Sequence, residues 1–476
     1  MIRTLPLLIL LGGACDNGVR IARLSVAPLA FRLLTPSDDG AANDARARFR
    51  WTPFPGADRY RVSIYSDAGR RRLVEFIDIE GALEARAGLP LVDGAVYYAQ
   101  VEVLGGLDRT IAATGLSRFR VRVVPDWMPR FELRADTKRR SRRDYLLVPL
   151  IRVMAPPGEG RIPLIAVVND AGEVVWWYRE EGVATIGVAE VTPEGTLLYV
   201  RAETSAAGEV SMVGNEITWQ GDPVWKSRPG VLVHHEITEG PMGLRMYMTH
   251  TFETWNGEVY EGDGIELIDK ATNTVLWEWN IFDHFRPEEF DVPEDDFPGL
   301  SRLGKDWSHA NGILWDEARG LIWMSIRHFD RIIGIDFPSG DIRITLGQGG
   351  LGGPDLMRHQ HAPELQADGS LLLWDNGNFR APERSRILQV RFDEILGTAT
   401  EVFTWRATPD LYDFALGDVD RLPSGNILAT AGVSGRLIEV NPLGEVVWEI
   451  ALATPGFWIY RTEVLADGEF PGIFRP

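Results

Sequence analysis

The chain has 476 residues, of which 45% are apolar and 25% charged, with 49 Gly and 29 Pro. That is a globular composition, long enough for two or three domains, a sizeable core and many turns. A net charge of −19 argues against nucleic acid as a partner, because phosphate binding needs a basic surface; a small anionic substrate in a locally positive pocket stays open.

Residues 1–18 read MIRTLPLLILLGGACDNG. Arg3 supplies a positive start, and the apolar run from Leu5 to Leu11 is too short to span a bilayer, so the segment reads as an export signal. Gly12, Gly13 and Ala14 then precede Cys15, the only cysteine of the chain. This arrangement resembles a bacterial lipoprotein signal, although its leucine stands four residues before the cysteine instead of three. The resemblance implies lipidation of Cys15, and Asp16 resembles the inner-membrane retention signal of Gram-negative lipoproteins. The expected location is exported, on the periplasmic or extracellular face, lipid-anchored to the membrane. With one cysteine, no internal disulfide can form.

Residues 19–125 alternate apolar and polar at strand spacing in ARFRWTPF, RYRVSIYS, VYYAQVEVL and SRFRVRVV, with Gly and Pro turns between them. The pattern resembles a fibronectin type III or immunoglobulin-like β-sandwich. Trp51 is then its core tryptophan, and Tyr97 makes a corner contact. The basic run at 138–143 reads as a solvated loop at a domain junction.

From 144 to 476 the chain repeats. One element is a strand, a turn and a strand ending in Trp: 165–178, 265–279 and 437–450, with degenerate copies at 332–346 and 402–406. A second element has a polar start, an Asp/Gly turn and an apolar strand. Its six copies start at 187, 235, 309, 361, 417 and 461, and the mean step of roughly 55 residues is close to propeller periods. The expected fold is all-β: a six-bladed β-propeller preceded by the sandwich. The insertion at 283–306, acidic and Pro-containing, reads as a loop over one face.

Equivalent strand starts lie around one mouth of a propeller channel. His235, His309 and His361 are therefore expected together. Asn311 follows His309 by two residues, on the same strand face. Arg327 ends the next strand, with His328 adjoining it, and Asn376 and Asn378 end the strand after His361. Arginine offers a rigid fork of donors for an oxyanion, and neutral imidazole can be a nucleophile with a second imidazole as acid or base. The set suits transfer of a sulfuryl or phosphoryl group. Three histidines could equally hold Zn or Cu with an open position, or merely line a polar channel.

Four stretches, DWSHANGILWD (306–316), WMSIRHFDRIIGID (323–336), QHAPELQADGSLLLWDNGN (360–378) and VVNDAGEVVWWY (167–178), together resemble the bacterial aryl sulfotransferases. These are exported six-bladed propellers that move a sulfuryl group from one phenol to another without a nucleotide sulfate donor. The resemblance covers roughly residues 144 to 470. It implies that His361 is a nucleophile forming a transient sulfohistidine, that His309 and Asn311 are the family's His-x-Asn, and that Arg327 holds the sulfate oxygens. His235 is implied as a further pocket histidine; Asn376 and His328 are expected as substrate-binding residues from their places at the strand ends. The implied enzyme works by ping-pong transfer from an aryl sulfate to a phenolic acceptor, with no metal and no cofactor. Expected partners are those small molecules and, through Cys15, a membrane; a homo-oligomer stays open. Two departures stand out: well-known members carry a disulfide, and the fibronectin-like front end is unexpected. The alternative is a non-catalytic envelope lipoprotein propeller acting as a binding or assembly scaffold. A quinone-dependent dehydrogenase propeller would need more blades and a calcium-binding carboxylate set that the sequence does not display.

Overall fold

The computed structural model describes residues 31–465 apart from 37–39, 43, 122, 138, 142–144, 154–161, 181–182, 205–209 and 291–303. The N-terminal run with Cys15 lies outside the described residues, as do Lys138, Arg142, Arg143 and the middle of the insertion. Among the described residues there are strands and single-turn 3-10 segments and no α-helix.

The alternating N-terminal strands fold into two sheets. Leu33–Thr35, Arg48–Trp51 and Glu84–Arg86 form one. Gly40–Ala42, Ser117–Val121, Val96–Leu104, Arg59–Tyr65 and Leu73–Glu80 form the other. Their inward residues, among them Phe49, Trp51, Val62, Val101 and Phe119, share one core. Trp51 is buried, and the Val92 N–H donates to the Tyr97 hydroxyl at 3.1 Å.

The rest forms six sheets, each built on four antiparallel strand positions and four of them with a fifth strand, and each with its own innermost strand. The innermost strands are Val183–Val191 in blade 1, Val233–Glu239 in blade 2, Ala310–Asp316 in blade 3, His361–Leu365 in blade 4 and Asp418–Arg421 in blade 5. Blade 6 is assembled from both halves of the chain. Phe457–Ile459 and Glu463–Leu465 pair with Tyr145–Arg152, which continues to Pro163–Asn169 and Val174–Arg179. A separate apolar cluster fills the space between each pair of neighbours, 1 with 2, 2 with 3, and on to 6 with 1. Six interfaces for six blades close the ring, so the architecture is a six-bladed propeller, and closure removes exposed sheet edges along the axis.

The tryptophans that end the repeated hairpins have a common task. Each donates its indole N–H to the outer turn of the next blade: Trp176 to the Trp219 carbonyl at 3.1 Å, Trp225 to Asn273 Oδ1 at 2.8 Å, Trp279 to the Gly340 carbonyl at 3.0 Å, Trp405 to the Gly444 carbonyl at 3.1 Å, and Trp448 to the Asp170 carbonyl at 2.9 Å. The outer strand of blade 3, IRITLG, has no tryptophan and lacks this link. One strand lies where the sequence suggested only a junction: Phe131–Asp136 pairs with Val446–Leu452 as an added outer strand of blade 5. After the junction, Arg140 pairs with Asp136 and Asp170.

Candidate active site

The innermost strands of blades 2, 3 and 4 carry the same irregularity. Register breaks at His234/Ile237, Ala310/Gly312 and His361/Glu364. His235 and His309 sit in the left-handed region, φ +50° and +48°, and Ala362 at +45°. A bulge re-aims a side chain, and non-glycine residues held in this region cost on the order of 1–3 kcal/mol and concentrate at functional sites. Here the bulges accompany the histidines that meet at the axis.

His235, His309, Arg327 and His361 line one cavity of about 120 Å³. Thr185, Gly187, Val200, Ala202 and Met212 from blade 1, Ala415 and Leu416 ahead of blade 5, and Tyr460 from blade 6 complete it. All six blades contribute, which puts the cavity on the ring's axis. One wall is basic and the other mostly apolar. A Cβ at Gly187 would lie 3.4 Å from the Tyr460 ring, so the glycine gives that ring room.

His361 is 4% exposed. Its Nδ1 lies 2.6 Å from Asn376 Oδ1 and 3.2 Å from the His359 carbonyl, both acceptors. The proton therefore sits on Nδ1, and Nε2 keeps its lone pair. Asn376 cannot flip without loss, because its amide donates to the Asp413 and Leu416 carbonyls at 2.7 and 2.9 Å. Burial, and next the Arg327 guanidinium, hold the His361 imidazolium form well below the ordinary histidine range. Burial, then His309 and His234, do the same to His235.

Arg327 is fixed from behind. It donates to His328 Nε2 at 2.7 Å and to the Phe414 carbonyl at 3.1 Å. His309 Nδ1 lies 2.5 Å from Asp306 Oδ2. Burial would raise the Asp306 carboxyl, but His309 and then His328 hold it far below the usual carboxylate range. Beneath the cavity Arg461 pairs with Glu236 and donates to the Asn311 carbonyl.

Three predicted residues stand behind the cavity wall. The bulge between Ala310 and Gly312 breaks the alternation that put Asn311 on the His309 side. Fully buried, Asn311 donates to the Gln360 carbonyl at 2.7 Å and joins blade 3 to blade 4. Asn376 supports His361, and His328 supports Arg327; neither lines the cavity. Asn378, also buried, donates to the Phe414 carbonyl at 3.0 Å. The sequence reading did not single out Asp306, although it lies in the same DWSH stretch as His309, nor Tyr460 or the apolar wall. Ring contacts run from His250 through His234, His235, His309 and His328 to His359, at centroid distances from 3.8 to 5.7 Å. Two groups of donor atoms lie close enough to hold a metal ion: His234, His250 and Asp263, and Asp306, His309 and His328. In the second group Asp306 and His309 are already bonded to each other.

Known proteins give the following context. A Bacteroides caccae protein of unknown function superposes with a TM-score of 0.44 at 15% identity, covering 67% of this chain and 98% of its own. A streptogramin B lyase gives 0.35 at 14% identity, covering 70% and 91%. Likenesses this distant carry no argument. No curated protein matches the chain. The family model described as Arylsulfotransferase (ASST) matches residues 160–455, more than half of the chain and nearly all of the ring. The chain therefore belongs to the arylsulfotransferase (ASST) family.

Proposed function

We propose that the chain is a nucleotide-independent aryl-sulfate sulfotransferase that works by ping-pong through a sulfohistidine at His361. The observation that carries this reading is the pinned tautomer: Asn376 accepts from Nδ1, and the side chain faces the cavity with Nε2 unprotonated. A neutral, desolvated imidazole is a competent nucleophile. The family membership supports sulfuryl transfer as the chemistry. The apolar wall of Val200, Ala202, Met212, Ala415, Leu416 and Tyr460 suits an aryl ring, with its sulfate toward Arg327.

In the first half-reaction the Nε2 lone pair of His361 attacks sulfur, the S–O bond to the ring breaks, and the phenolate leaves. Arg327 opposes the charge on the remaining sulfate oxygens with a planar fork of donors. His309 delivers a proton to the departing oxygen. Asp306 on its Nδ1 stabilises the imidazolium, as a carboxylate does in a triad. In the second half-reaction His309 takes the acceptor phenol's proton. The phenolate oxygen then attacks sulfur, the N–S bond breaks, and neutral His361 returns.

The test is intact-mass measurement after brief mixing with an aryl sulfate and no acceptor. We expect one added sulfuryl group, mapped to His361 and absent from His361→Asn, whose turnover falls at least about a thousandfold, on the order of 4 kcal/mol in barrier. Full turnover in His361→Asn would overturn the reading. We further propose that the protein is exported and held to a membrane by lipid on Cys15, motivated by the apolar run and small residues that precede that cysteine.

A further inference from the structure

Behind the cavity wall, blade 2 gathers polar side chains that the proposed reaction does not use. His234 comes from its innermost strand Val233–Glu239, His250 from Arg245–Trp255 and Asp263 from Glu258–Asp269. Strand register sets His250 directly opposite Asp263. His234 is fully buried and Asp263 is 2% exposed.

The contacts within this group are close but incomplete. The rings of His234 and His250 stack with centroids 3.8 Å apart. His234 Nε2 lies 3.2 Å from Asp263 Oδ1, and His250 Nδ1 lies 2.9 Å from Glu261 Oε1. Both ring nitrogens are buried, and neither makes a hydrogen bond. They stand beside carboxylate oxygens without a well-directed hydrogen bond. Asp263 Oδ2 is committed elsewhere: it accepts from the Ser308 hydroxyl at 2.5 Å and the Ala310 N–H at 2.6 Å. This leaves Oδ1 facing the histidines. Among the described residues, no lysine or arginine pairs with Asp263. A buried carboxylate needs an opposing charge.

We propose that ring nitrogens of His234 and His250 and an oxygen of Asp263 bind a divalent transition-metal ion of the zinc class, with water in the fourth position. Imidazole with carboxylate favours zinc over calcium or magnesium, which prefer all-oxygen sets. The three donor atoms lie within 4.8 Å of one another. Bonds of about 2.0–2.2 Å place tetrahedral donors roughly 3.4 Å apart, and the stacked rings must tilt out of parallel for both lone pairs to reach one ion. The bonds to Ser308 and Ala310 orient the carboxylate, as outer partners do around metal sites.

The site has a consequence at the cavity. A metal on His234 Nε2 puts that ring's proton on Nδ1, which lies 2.8 Å from His235 Nδ1. His235 must then accept at Nδ1 and carry its own proton on Nε2. The metal thus sets the tautomer of a cavity histidine without entering the cavity.

The test reads metal, not turnover, so it stands apart from the sulfotransfer reading. Protein purified without a metal-affinity column is analysed by plasma mass spectrometry, then stripped and titrated with Zn²⁺ and Co²⁺. We expect about one equivalent per chain and the visible absorption of four-coordinate Co²⁺. His250→Phe keeps the stacked ring and loses both nitrogens; it should hold less than about a tenth of an equivalent. Asp263→Asn keeps the shape but loses a charged ligand and should weaken Zn²⁺ binding by more than the roughly tenfold typical of losing an outer partner. His309→Phe, in the neighbouring donor group, should still bind one equivalent. Wild-type protein that takes up neither ion at micromolar concentration overturns the site, whatever the variants do. So does unchanged binding in folded His250→Phe, or binding lost only in His309→Phe.

Discussion

Asn376 decides which nitrogen of His361 carries a proton, because both of its amide hydrogens are already given to backbone carbonyls. The choice of an amide over a carboxylate matters for pH. The neutral form of His361 is the reactive one, and burial with Arg327 holds its imidazolium well below the ordinary range. Protonation on lowering the pH should therefore inactivate loading only well below pH 6.5. Rapid-quench measurement of sulfo-enzyme formation should show no acid limb around neutrality. In Asn376→Asp a carboxylate favours the charged ring, so the acid limb should move up by at least about one pH unit, or about 1.4 kcal/mol. An identical profile in the variant would show that Asn376 does not set the state of His361. The meeting of His235, His309 and His361 was legible because equivalent repeat positions converge. The place of Asn311 was not, because alternation fails at a bulge, and left-handed backbone at a histidine leaves no mark on a repeat. Asp306 was missed for a related reason. An aspartate before a loop tryptophan looks solvated until Lys305–Asp306 pairs in parallel with Glu258–Asp269.

At the scale of elements, the hairpins that end in tryptophan were legible as a repeat, but their task was not. Seen in sequence, the tryptophan is one more apolar residue facing a core. In the ring it is also a donor to the turn of its neighbour, so the same residue seals and registers two blades. Trp279→Phe should lose the bond to the Gly340 carbonyl and some packing against His284, whose ring stacks on it at 4.7 Å. A stranded carbonyl and a small cavity together cost about 1–3 kcal/mol. Urea unfolding should show that loss as a lower midpoint at constant slope; an unchanged midpoint would mean the links are incidental. The strand Phe131–Asp136 went unread because only its first residue is buried, so it carries no alternating pattern.

For the whole molecule, the blade count followed from period and copy number, since only a closed ring gives every copy two neighbours. Location follows from nothing in the fold. No helix among the described residues is long and apolar enough to cross a membrane. If lipid on Cys15 is the anchor, two or three acyl chains hold the protein far more firmly than one. Cys15→Ser should then appear in the soluble fraction or keep its signal uncleaved when fractions are compared by immunoblot and mass. A cleaved Cys15→Ser protein that still pellets with membranes would place the anchor elsewhere.

The split of blade 6 between early and late strands also governs when the molecule can work. Tyr460 and Arg461 belong to the segment that joins Tyr145–Arg152 only after the other five blades have been translated. A chain still emerging, or one clipped before residue 457, can hold five blades and every histidine of the site. It would still lack the phenol wall of the cavity and the guanidinium beneath it. Competence is therefore a property of ring closure, acquired in one late event, and incomplete chains carry the histidines without a finished pocket to use them.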